Sequence, residues 1–135
     1  MTSLELAENA AKILDAKKAR DLKVIGIRDI SILTDYFVLA TGTSSTHVRA
    51  LADEVEFGLK QLGVEPARTE GYRSHSWVLQ DYGNVVVHVF TEDARSFYDL
   101  DRLWRDGEQV DLSGILKSDS VSGQKEFTED ETQGR

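Results

Sequence analysis

The sequence predicts an α+β protein, a layered α/β arrangement in which a mixed sheet is flanked by helices. Three observations carry this. Two stretches repeat apolar residues three or four apart, one run of β-formers is apolar on both faces, and two further runs flank a Tyr-Gly turn. The order αββα(β)ββα then makes the sheet part parallel, through a helical crossover, and part antiparallel, through the hairpin. At 135 residues the chain is long enough for one domain with a real core and no covalent staples.

The elements follow in order. Thr2 and Glu5 have capping-box spacing. Leu6, Ala10, Ile13 and Lys17 recur at helical spacing with Leu14 widening the stripe, so a first helix is predicted over 3–19. Lys17, Lys18 and Arg20 sit where the helix dipole favours cations. Lys23–Ile27 reads as a first strand and Asp35–Thr41 as a second, central one, apolar on both sides. Val48, Leu51, Val55, Leu59 and Leu62 make a second amphipathic helix over 45–62, closed by Gly63. The segment 64–71, with the single proline Pro66, reads as a loop with a short edge strand. Ser76–Asp81 and Asn84–Phe90 form the hairpin around Tyr82-Gly83. Thr91 caps a third helix running through Tyr98 toward Leu103-Trp104. Residues 1–112 are thus expected to form the domain. Residues 113–135, rich in Ser, Gly and acids, are expected to be a mostly disordered acidic tail.

Composition excludes several functions. With no cysteine there is no disulfide framework, thiolate zinc site or thiol nucleophile. A net charge of −8 argues against gripping nucleic acid, which requires a basic face, but leaves a basic protein as partner. No signal peptide is visible and the longest apolar run, around Val85–Phe90, is too short to span a bilayer, so a cytoplasmic protein is expected.

Candidate chemistry is sparse. Gly42, Thr43 and Ser44 lie between a strand and a helix N-terminus, a weak candidate anion site whose plainer reading is a turn and an N-cap. His47, His75 and His88 are far apart in sequence and lack metal-ligand spacing, so no metal and no cofactor is expected; His88 reads as a hydrogen-bonded core residue. Two-metal phosphoryl transfer needs acids two apart on one strand face. Residues 85–90 carry no acid, 35–41 begin with Asp35 alone, and Asp99 and Asp101 are two apart on a helix, pointing in different directions. Instead, Trp77, Tyr82, Phe90, Phe97, Tyr98 and Trp104 crowd together with Asp81, Arg95, Asp99, Asp101, Arg102 and Arg105. Part of this set fills the core, Phe90 and Trp104 first. Part of it has the Trp, Tyr and Arg composition of interface anchors.

At these residues the sequence resembles a known family. Asp35-Tyr36-Phe37-Val38 leads to Thr41-Gly42-Thr43-Ser44. Glu70-Gly71, Trp77 to Gly83, Val86 to Phe90 and Arg95-x-x-Tyr98-Asp99-Leu100-Asp101-Arg102-Leu103-Trp104 follow in order. This set resembles the ribosomal silencing factor family, also called RsfS or Iojap, over about residues 3–106. Asp101 stands where the family more often has Glu, residues 73–76 fall in a variable stretch, and the motifs supply no counterpart for the tail.

The resemblance implies a nucleotidyltransferase-like fold without the catalytic acids, and no enzymatic activity. It implies a translation repressor that binds the large ribosomal subunit at its fourteenth protein and sterically blocks joining of the small subunit under nutrient limitation. Homodimer formation, attributed to some members, is among the expectations it raises. Trp77, Asp81, Tyr82, Arg95, Tyr98, Asp99, Asp101 and Trp104 are the candidate partner-binding residues. The alternative is a nucleotide-binding or nucleotidyltransferase-like enzyme using Gly42-Thr43-Ser44, which the missing strand carboxylates disfavour.

Overall fold

The computed structural model describes residues 1–116. Six strands form one mixed sheet: β1 (Arg20–Gly26), β2 (Tyr36–Gly42), β3 (Arg68–Glu70), β4 (Trp77–Asp81), β5 (Val85–Thr91) and β6 (Glu108–Gln109). Their spatial order is β3-β4-β5-β2-β1-β6. β2 pairs with β5 in parallel, Leu39 beside His88, and the other pairs are antiparallel. The central pair is therefore the crossover-linked one, as the doubly apolar pattern of β2 predicts.

Strand alternation sends neighbouring residues to two different cores. Val24, Val38, Val87 and Val89 face helices α1 (Ser3–Ala16) and α2 (Ser45–Gln61), meeting Leu6, Leu14, Val48, Leu51, Val55 and Leu59. Ile25, Phe37, Leu39, Val86 and Phe90 face the other side. Two short helices, α3 (Glu92–Tyr98) and α4 (Leu100–Leu103), and the half-buried Trp104 cover that second face. Each fully buried Leu, Ile, Val or Phe contributes about 1.5–3 kcal/mol. One face of the sheet is thus roofed by two long helices, the other by a few short turns.

The local signals explain the boundaries. Thr2 and Glu5 form the capping box reciprocally: the Thr2 N–H donates to Glu5 Oε1 at 2.8 Å and the Glu5 N–H to Thr2 Oγ1 at 3.0 Å. Helix α1 stops at Ala16, short of the expected residue 19, because Lys18 takes a left-handed φ of 70° and the Ala19 N–H closes back on Leu14 at 3.0 Å. That is a Schellman closure without its usual glycine, hence without a sequence signal. Helix α2 closes in the same way at Gly63, as expected. β1 begins earlier than predicted, at Arg20, through an irregularity centred on Asp21, whose φ is 47°. β6, two exposed polar residues, was not expected at all. The predicted third helix is broken in two at Asp99, where φ is 51°.

Beyond Leu112, residues 113–115 form a turn, and Ile115 and Leu116 pack half-buried against the helix-side core. The packed body thus runs on past the expected boundary at 112; the remainder of the expected tail lies outside the described residues.

Candidate functional site

The sparsely roofed face is where the aromatic residues converge. Trp77 opens β4 opposite Phe90. Its backbone carbonyl lies so close to Gly71 that a Cβ there would sit 1.9 Å from the oxygen, and Gly71 also has a φ of 89°. Only glycine fits. The indole stacks on Phe90 at 5.2 Å and meets Tyr98 at 4.5 Å. Its Nε1–H donates to Nδ1 of His88 at 3.1 Å. His88, buried at the centre of β5, packs edge-on to Phe37 at 4.8 Å. Burial first, and the nearby Arg95 cation second, push the His88 pKa down to about 4, so the ring is neutral at physiological pH and accepts from the indole.

The roof is held by one clamp. Thr91 caps α3 through the Ala94 N–H at 3.3 Å, as its position predicts. Arg95 donates from Nε and Nη2 to the two oxygens of Asp101, at 2.7 and 2.9 Å, and from Nη1 to Thr41 Oγ1 on β2 at 2.8 Å. Lys23 on β1 reaches the same carboxylate at 3.0 Å. The hydrogen bond from Arg95, with Lys23 adding to it, holds the Asp101 carboxyl well below the usual carboxylate range. Asp99 supplies the left-handed turn that folds Asp101 back onto Arg95, a conformation Asp tolerates better than most residues. Arg95 and Asp101, expected on the partner-facing surface, are therefore the fastening of α3 and α4 to the sheet. Trp104 is likewise half-buried, edge-on to Phe37 at 5.4 Å.

The roof presents three large apolar side chains outward among charged residues. Phe97 is 80% exposed, Leu103 67% and Tyr98 47%, with Phe97 and Tyr98 in edge contact at 5.0 Å. Exposed apolar side chains of this size make the roof a candidate interaction surface. Phe97 and Leu103 were not among the residues singled out as partner-binding. The sequence places Leu103 toward the end of one continuous third helix; in the structure the chain breaks at Asp99 and Leu103 ends the separate helix α4, exposed.

Other candidates fall elsewhere. Asp81 shares the face of Trp77 but lies at the far end of β4, where its Oδ1 accepts the Gly83 N–H at 2.8 Å and its Oδ2 pairs with Arg68 at 3.6 Å. Tyr82 is on the opposite side, packed against the helix-side core, its hydroxyl donating to Gln80 Oε1 at 3.0 Å; burial there raises its pKa. It cannot join an interface with Trp77 and Tyr98. Gly42, Thr43 and Ser44 are spent on structure. A Cβ on Gly42 would come within 2.9 Å of the Val48 nitrogen. The Thr43 N–H donates to His47 Nδ1 at 2.9 Å and the His47 N–H to Ser44 Oγ at 3.1 Å. The turn-and-cap reading accounts for all three. Among the described residues no group of three or more His, Asp or Glu could hold a metal, and no helix is long and apolar enough to cross a membrane.

Residues 1–135 match the family described as "Ribosomal silencing factor during starvation". The chain belongs to the ribosomal silencing factor family. The match includes the C-terminal segment for which the motifs supplied no counterpart. A ribosomal silencing factor of Halalkalibacterium halodurans is 39% identical over 116 residues, 86% of this chain and 99% of that protein. A mouse relative, named "Mitochondrial assembly of ribosomal large subunit protein 1", is 32% identical over 95 residues, 68% of this chain and 42% of its own length. A crystal structure of a Chromobacterium violaceum protein superposes with a TM-score of 0.76 at 34% identity, covering 84% of this chain and 93% of that one. The segment Arg95-x-x-Tyr98-Asp99-x-Asp101 thus divides by role in this structure: Arg95 and Asp101 fasten, Asp99 turns, and Tyr98 is half exposed.

Proposed function

We propose that this ribosomal silencing factor represses translation by occupying the large ribosomal subunit at its fourteenth protein. Bound there through the face roofed by α3 and α4, it prevents the small subunit from joining. The mechanism is steric, with no bond made or broken, and the site of action is the cytoplasm. The observation that carries this reading is the outward apolar group of Phe97, Tyr98 and Leu103 on the less protected side of the sheet. Charged residues of both signs surround this group: Glu92 pairs with Arg20 at 3.0 Å, Asp99 with Arg102 at 3.5 Å, and Asp93 and Arg105 are exposed. Apolar anchors suit the centre of a protein interface, and the net charge of −8 favours a basic partner surface through complementary potential. Family membership and a relative named for assembly of the large subunit point to the same partner.

Co-sedimentation of the purified protein with isolated large subunits tests the reading. Wild type should pellet with them, and Tyr98→Ala combined with Leu103→Ala should stay in the supernatant while remaining folded. Equal pelleting of the two proteins would remove this face from the account.

A further inference from the structure

Between Tyr98 and the β3 edge of the sheet lies a groove of about 250 Å³. Its walls are Trp77, Tyr98 and Leu79, with Glu70, Ser74 and Ser76 at its polar side. Glu70 stands opposite Leu79 across the β3–β4 pair, so a carboxylate flanks an apolar and aromatic trough. Arg68 is shared between Glu70 at 3.2 Å and Asp81 at 3.6 Å, one guanidinium answering two carboxylates, with side chains 63% and 55% exposed in the Arg68–Glu70 pair. An ion pair that exposed is weak and readily rearranged.

We infer that this groove receives a cationic side chain of the partner, an arginine in the best-fitting case. A long aliphatic stem lies along Leu79 and the ring edges, as Lys and Arg stems do on apolar surface. The charged head meets the carboxylate of Glu70, and the aromatic rings add attraction for a cation. Arginine fits better than lysine because its planar guanidinium both stacks on Tyr98 and presents two parallel N–H groups to a carboxylate. An anion is disfavoured by Glu70, and a neutral apolar side chain would leave Glu70 with only Arg68, an exposed partner it shares with Asp81. The inference rests on the proposed face, and adds Glu70 and Leu79, neither of them among the sequence candidates, to the recognition surface.

The test uses the full chain, nitrogen-15 labelled, with the Trp77 indole signal assigned through Trp104→Phe. N-acetyl-arginine amide should shift the Trp77 indole and Tyr98 ring signals saturably, N-acetyl-lysine amide more weakly, and N-acetyl-norleucine amide not at all. Glu70→Gln, with an unchanged Tm, should weaken arginine-amide binding about fivefold or more. The same variant should bind large subunits about fivefold or more weakly, and with a shallower salt dependence. An equal response to norleucine amide, no shift with arginine amide, or an unaltered Glu70→Gln titration would overturn the inference. If wild type pellets with large subunits and Glu70→Gln pellets equally well, the groove is excluded while the proposed function stands. If wild type itself fails to pellet, the function falls and the arginine-amide titration still judges the groove.

Discussion

Replacing Arg95 with methionine keeps the volume of the side chain and removes the clamp that holds α3 and α4 on the sheet. Arg95 is 10% exposed at its side chain and Asp101 24%. Breaking a buried pair by deleting one partner costs about 3–5 kcal/mol. Here Lys23 stays 3.0 Å from the carboxylate. Asp101 also keeps some water, so about 2–3 kcal/mol is the better figure. For a domain of this size that lowers Tm by about 6–15 °C. Hydrogen exchange should place the damage. The amides of Asp99, Leu103 and Trp104, which donate to Arg95, Asp99 and Leu100, should exchange faster, while those of β2 and β5 follow only the global change. The pH dependence has a definite sign. A carboxyl whose folded pKa is depressed contributes stability above its unfolded pKa of about 3.9 and loses it as pH falls further. Wild type should therefore lose stability below about pH 4 more steeply than Asp101→Asn. A Tm for Arg95→Met within a degree of wild type, or unchanged exchange in α3–α4, would refute the clamp and return Arg95 to the partner-facing surface.

Three further outcomes follow from the same geometry. His88, neutral and buried with a pKa near 4 against about 6.5 unfolded, makes the protein less stable as pH falls from about 6.5 to 4. The loss is about 3 kcal/mol. Urea titrations of wild type should show this drop and His88→Gln should lack it. Gly71→Ala forces a Cβ against the Trp77 carbonyl at a left-handed φ, so it should cost at least about 2 kcal/mol and shift the Trp77 fluorescence, where Gly63→Ala changes stability without moving the emission. Tyr98→Ala should leave stability within about 1 kcal/mol, because the ring is half exposed, yet weaken large-subunit binding about tenfold or more.

The elements whose signals are periodic or chemical were legible in sequence. Thr2 and Glu5 announced a capping box, Val48 to Leu62 a helix, and the doubly apolar β2 a central strand. What escaped depends on backbone turns that any residue can hide. Lys18 and Asp99 adopt left-handed conformations with no glycine to mark them, and the second of these decides which way Leu103 and Asp101 point. Period-two alternation could have separated Tyr82 from Trp77, since Trp77, Leu79 and Asp81 share one face while Val78 and Gln80 take the other. The composition of the aromatic cluster pointed to a candidate surface without dividing core members from exposed ones. Only the register of β4 on β5 and the Arg95–Asp101 clamp show that Trp77 and Trp104 support what Phe97, Tyr98 and Leu103 present.

The central claim concerns exclusion of the small subunit, and a subunit-joining assay measures it directly. Large subunits preincubated with saturating wild-type protein should fail to form complete ribosomes when small subunits are added, and Tyr98→Ala with Leu103→Ala should restore joining. Unhindered joining in the presence of saturating wild type would contradict the account.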